Sequence, residues 1–75
     1  MKWSKPKHER WHQDYTITGR KNGYKAEVIY NESRNFYYFL VEKEKEDIHY
    51  NSLWDENSYT TEEECRLACE EYCER

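Results

Sequence analysis

The 75-residue chain carries 16 acidic against 12 basic side chains, a formal net charge of -4, with 37% charged and 36% hydrophobic residues. A domain of this size buries only about 60% of the surface its unfolded chain exposes, which leaves little room for an enclosed catalytic cavity. Such a charge balance would fit a disordered chain were it not for three Trp, eight Tyr and two Phe, a ring content that disordered segments lack.

The charge is divided along the chain. Residues 1–34 hold eight Lys/Arg against four Asp/Glu, whereas residues 35–75 hold four against twelve. An acidic whole argues against non-specific nucleic-acid binding but allows a local basic face. The longest apolar run, FYYFLV at Phe36–Val41, falls far short of a membrane span or a signal-peptide core, so a soluble, cytoplasmic protein is expected.

Residues 1–13, MKWSKPKHERWHQ, hold four Lys/Arg, Pro6 and two tryptophans without a helical or strand period, and read as a basic aromatic arm ahead of a single domain at 14–75. From Asp14 the pattern becomes β. Tyr15 to Thr18 alternates, predicting a strand at about 14–19, and Asn22-Gly23 supplies the positive φ angles of a tight hairpin turn. A second strand follows at 23–31, with Tyr24, Ala26, Val28 and Tyr30 on one face. NESRN at 31–35 is a turn rich in side chains that bond their own backbone. Phe36–Lys43 is apolar on both faces, as in a strand interior to a sheet and covered on both sides. EKEKED at 42–47 turns the chain again, and Ile48–Trp54 is an expected fourth, edge strand.

A helix is predicted at about 60–74. Thr60 with Glu63, or Thr61 with Glu64, makes a capping box, and Glu62, Glu63 and Glu64 sit where the helix dipole favours negative charge. The expected fold is therefore α+β, a three- to four-stranded antiparallel β-meander packed against one C-terminal α-helix.

All three cysteines lie in that helix, at Cys65, Cys69 and Cys73. At 100° per residue they share an arc of roughly 140° with Thr61, Ala68 and Tyr72, opposite Glu63, Arg66, Glu70 and Glu74. On the buried side a thiol acts as a small hydrophobe, so packing is the first reading. Zinc requires four converging ligands, usually from paired CxxC knuckles, and a CxxxCxxxC run on one helix needs His49, or His8 with His12, to complete a set. Disulfides fit less well, because helical neighbours stand about 5–6 Å apart at Cβ where a disulfide needs roughly 3.8 Å. His8 and His12 read as solvated arm residues and His49 as an ordinary surface histidine. With two glycines in total no phosphate-cradling loop is available. The expectation is no enzyme, no cofactor and no metal.

What remains is surface. Once the helix covers one face of the sheet, the other still carries rings of the third strand, to be covered by Trp3 and Trp11 of the arm or by a partner. Leu67 falls at about 200° on the helix, outside the buried arc and among Glu63, Glu70, Glu71 and Glu74, where a protein-binding helix would present an anchor.

Two resemblances bear on partners. The strand phrase GYKAEVIY (Gly23–Tyr30) and the helix phrase YTTEEECRLACEEY (Tyr59–Tyr72) resemble the β-sheet-plus-helix DNA-binding domain of tyrosine recombinases and plant ethylene-response factors. That resemblance implies a sheet entering the major groove. In size, acidity and lack of catalytic motifs the chain is similar to small inhibitor proteins of phages and mobile elements, anti-CRISPR proteins among them, which implies a host protein as target.

The first functional expectation is a non-enzymatic protein-binding module, of the phage-inhibitor kind, meeting a host protein's basic surface through Glu63, Arg66, Leu67, Glu70, Glu71 and Glu74 or through the aromatic sheet face. The second is a nucleic-acid-binding domain, with Arg10, Arg20, Lys21, Lys25 and Arg34 on phosphates and Tyr24 or Tyr37 stacked on bases. The third is a small structural or assembly protein, including a homo-oligomer.

Overall fold

In the computed structural model, which describes residues 1–8 and 15–75, the first hairpin joins β2 (Tyr15–Lys21) to β3 (Tyr24–Asn31). Its two-residue turn is Asn22 at φ 53° and Gly23 at φ 83°, the backbone that the Asn-Gly pair favours. The register runs from Tyr15 opposite Tyr30 to Lys21 opposite Tyr24. In the next turn Asn31 Oδ1 accepts from the Ser33 hydroxyl at 2.8 Å and the Arg34 N–H at 3.2 Å, and Asn35 takes φ 55°. That turn delivers β4 (Phe36–Lys43), and a 3-10 turn at Glu44–Glu46 leads to β5 (Ile48–Asn51).

Here the expected edge strand at 48–54 is cut short. Asn51 Oδ1 accepts the Leu53 N–H at 2.8 Å and opens a 3-10 turn at Ser52–Asp55 instead. The β4 edge is still satisfied beyond that point. The Phe39 N–H donates to Ser52 Oγ at 3.1 Å, and Tyr59 exchanges backbone bonds of 2.8 and 2.9 Å with Tyr37. Ser52 is fully buried, so its hydroxyl replaces a missing strand carbonyl where water cannot.

The helix α1 (Glu62–Cys73) starts at Thr61, whose Oγ1 accepts the Glu64 N–H at 3.1 Å. Of the two capping pairs readable in the sequence, the second is the one used. The Thr60 hydroxyl instead meets Glu64 Oε2 at 3.3 Å.

The described part of the expected arm, residues 1–8, joins the sheet. A two-residue strand β1 (Lys7–His8) pairs antiparallel with β2, giving the order β1-β2-β3-β4-β5, a meander throughout. Further upstream Trp3 bridges Gly19, and Ser4 bonds Thr18 through its backbone N–H at 2.7 Å and its side chain at 2.9 and 3.1 Å. Gly19 is what permits this approach: a Cβ there would stand 2.8 Å from Met1 Sδ and 3.1 Å from the Lys2 carbonyl oxygen. The boundary expected at residue 14 lies outside the described residues.

α1 packs over β3 and β4. The sheet face beneath it presents Ile17, Val28 and Phe39 in one cross-strand row and Gly19, Ala26, Val41 and Tyr50 in the next. The helix answers with Cys65, Cys69 and Cys73, each wholly buried. Small side chains therefore face small side chains at the centre, and rings close the ends. Tyr50 stacks on Tyr72 at 4.5 Å between centroids, and Tyr15, Tyr30 and Tyr37 cluster at the helix N-terminus. There the Tyr15 hydroxyl donates to Glu62 Oε1 at 3.0 Å.

The opposite sheet face carries the rows Thr16–Ile29–Tyr38, Thr18–Glu27–Leu40–Asn51 and Arg20–Lys25–Glu42–His49. None of these side chains is buried. The reading of Phe36–Lys43 as a strand covered on both sides is corrected accordingly: Phe39 and Val41 are buried under α1, whereas Tyr38 and Leu40 are only half-buried. No helix of the described residues is long and apolar enough to cross a membrane.

Candidate functional site

Four of the six helix residues singled out in the sequence line one depression. Glu63, Arg66, Leu67 and Glu70, on successive turns of α1, meet Met1 and Trp3 around a hollow of about 240 Å³. Leu67 stands beside it 58% exposed, exceeded only by Trp54 among the large apolar side chains of the described residues. Glu71 and Glu74 lie outside the hollow, both exposed.

Met1 and Trp3 are the members that sequence reasoning missed. Trp3 was expected across the far sheet face, but its bridge to Gly19 carries it to the helix side, where its indole N–H donates to Glu70 Oε1 at 3.0 Å. The available signal was Gly19, since a glycine inside a strand marks close approach of another backbone. Trp11, the arm's other expected covering residue, lies outside the described residues.

The same contact alters the electrostatics. Arg66 and Glu70 were expected to face outward, yet the N-terminal segment packs along that flank and leaves both half-buried. Glu70 accepts from Trp3, and Glu74 Oε1 lies 2.6 Å from Lys21 Nζ. The Lys21 ammonium holds the Glu74 carboxyl below its ordinary pKa, and the carboxylate raises that of Lys21. Arg66 Nη2 is 3.4 Å from Glu62 Oε2, one turn earlier, while its shielded Nε has no acceptor among the described residues. Among the described residues, the carboxylates of the outer face without such a contact are Glu63 and Glu71.

The residues proposed for nucleic acid do not share a surface. Arg20 and Lys25 face each other across β2 and β3 on the helix-free side. Lys21 is on the helix side, paired with Glu74, and Arg34 is exposed in the β3–β4 turn at the other end of the sheet. Tyr24 is corrected to a core residue: it is 5% exposed, edge-on to Tyr72, and cannot stack on a base without leaving the fold. Tyr37 sits inside the tyrosine cluster, its hydroxyl 3.1 Å from that of Tyr15. Arg10 lies outside the described residues.

The cysteines are held as free thiols, and burial governs them. It pushes the Cys65 thiol up to about 12, and Cys69 and Cys73 are raised by the same cause. Thiols so disfavoured as thiolates are poor nucleophiles. Among the described residues no three His, Cys, Asp or Glu side chains converge as a ligand set. His49 is exposed, 3.3 Å from Asp47 and 3.8 Å from Glu42; His8 and His12 lie outside what can be described of side chains.

Comparison with protein-family models, with curated proteins and with solved structures gives no match. The functional reading therefore rests on these residues and their geometry.

Proposed function

We propose that the chain is a non-enzymatic protein-binding module that docks the outer face of α1 onto a basic surface of its partner. The observation that carries this reading is Leu67, a leucine 58% exposed at mid-helix beside the hollow formed with Met1 and Trp3. An apolar knob beside a hollow that mixes Met1 and Trp3 with charged side chains suits the centre of an interface, where few residues supply most of the binding energy. Glu63 and Glu71 flank it as carboxylates without an ion pair among the described residues and would steer a cationic surface into register.

Occupying such a surface would block whatever anion the partner normally holds there, so the activity expected is that of a stoichiometric inhibitor. The phage-inhibitor resemblance points the same way. The nucleic-acid reading is less well supported, because its basic and aromatic residues fall on different faces.

The test is affinity capture from the native cell's lysate on the immobilised full chain, with and without nuclease. The reading predicts a captured protein that survives nuclease, elutes as salt is raised, and is lost with Leu67→Glu. Capture that disappears with nuclease, or that Leu67→Glu leaves intact, would overturn it. Capture of only the chain's own copies would point to a homo-oligomer instead.

A further inference from the structure

The helix-free face of the sheet holds a second hollow. A groove of about 210 Å³ runs across β3, β4 and β5, lined by Lys25, Glu27, Leu40, Glu42, His49 and Asn51, and ends at Trp54. Trp54 follows β5 in the 3-10 turn and is 64% exposed, the most exposed large apolar side chain among the described residues. Its ring is held edge-on to Tyr50 at 6.1 Å, and Tyr50 is fixed in turn by its stack on Tyr72 and its hydroxyl bond to Asp55 at 2.6 Å. The indole thus stands on a braced support with most of its surface in solvent.

Charge within the groove is unevenly satisfied. Glu42 is shared by Lys25 at 4.0 Å and His49 at 3.8 Å. Glu27, in the neighbouring row beside Leu40, is half-buried and makes no hydrogen bond or ion pair among the described residues. Glu27 is therefore a carboxylate in the groove wall that a cation supplied from outside can pair.

We infer that this groove is a recognition site for an arginine side chain of a partner protein, with Glu27 pairing the guanidinium and Trp54 stacking on it. Arginine suits the elements present better than lysine. Its planar head pairs a carboxylate through two parallel N–H bonds and lies flat on an indole, and its methylene stem has Leu40 to cover. The groove shares no lining residue with the hollow beside Leu67, so the two surfaces can be tested separately. A partner strand laid along the free edge of β5 would bring its side chains over this groove.

The experiment is an NMR titration of the isotope-labelled full chain with N-acetyl-arginine methylamide, and in parallel with the citrulline analogue, which keeps the shape and removes the charge. Binding on the order of 1 mM is expected for a probe of this size. The Trp54 indole N–H and the amides of Glu27, Leu40 and Asn51 should move, and the citrulline probe should leave them in place. Glu27→Gln and Trp54→Ala should each weaken the arginine probe by roughly fivefold. Equal response to both probes, shifts confined to Glu63 and Glu71 on α1, or no shift at tens of millimolar would overturn the assignment.

Discussion

The two faces of the sheet use their rings differently. Under α1, Phe39, Tyr24, Tyr50 and Tyr72 pack on one another and on three buried thiols, and they serve the core. On the other face every side chain retains some solvent, one carboxylate has no partner among the described residues, and a tryptophan stands proud at the end of a groove. Aromatic content alone therefore says little about binding. What separates a structural ring from an available one is whether the neighbouring strand and helix have already closed around it.

Substitution gives the largest contrast. Phe39, 3% exposed, should cost about 3–5 kcal/mol as Phe39→Ala, enough to leave much of a small domain unfolded, whereas Trp54→Ala should stay within about 0.5 kcal/mol. Urea unfolding followed by circular dichroism measures both, and a similar cost at the two sites would erase the distinction between the faces.

Alkaline pH probes the covered face next. Burial raises the folded-state pKa of Cys65 from 9.0 to about 12, with Cys69 and Cys73 raised alongside. Above pH 9 the unfolded chain loses thiol protons that the folded chain keeps, so stability present below that pH drains away between about 9 and 12. Urea midpoints should fall steeply across this window, and Cys65→Ala should flatten the slope while lowering the plateau.

Ser52→Ala removes the acceptor of the buried Phe39 N–H and should cost about 1–3 kcal/mol, although it deletes a single oxygen. The smallest effect belongs to Lys21→Met. The Lys21–Glu74 contact is short but solvated, and its loss should leave the urea midpoint within the scatter of ordinary surface changes.

Local chemistry made much of the fold legible. Asn22-Gly23 marked the first turn, alternation marked the strands, and Thr61 with its glutamates marked the helix start. Projection of CRLACEEYC onto a helix placed all three thiols in the core. Contacts distant in sequence were harder to read. That Ser52 would stand in for a strand carbonyl, ending the edge strand at Asn51, depends on where β4 lies beside it. That Trp3 would reach Glu70, 67 residues away, depends on Gly19 opening room for the N-terminal segment. The candidate site was accordingly half-read: Leu67 and its carboxylates emerged from the helical wheel, whereas Met1, Trp3, Glu27 and Trp54 required the assembled sheet.

The claim that the outer face of α1 is a binding surface is tested most directly by measuring the affinity of the captured partner for the Leu67→Ser, Glu71→Lys double variant. Both side chains are exposed and outside the core, so the variant should unfold at the same urea concentration as the parent. The predicted result is partner affinity reduced by at least about tenfold with stability unchanged. Undiminished affinity in a fully folded variant would contradict it.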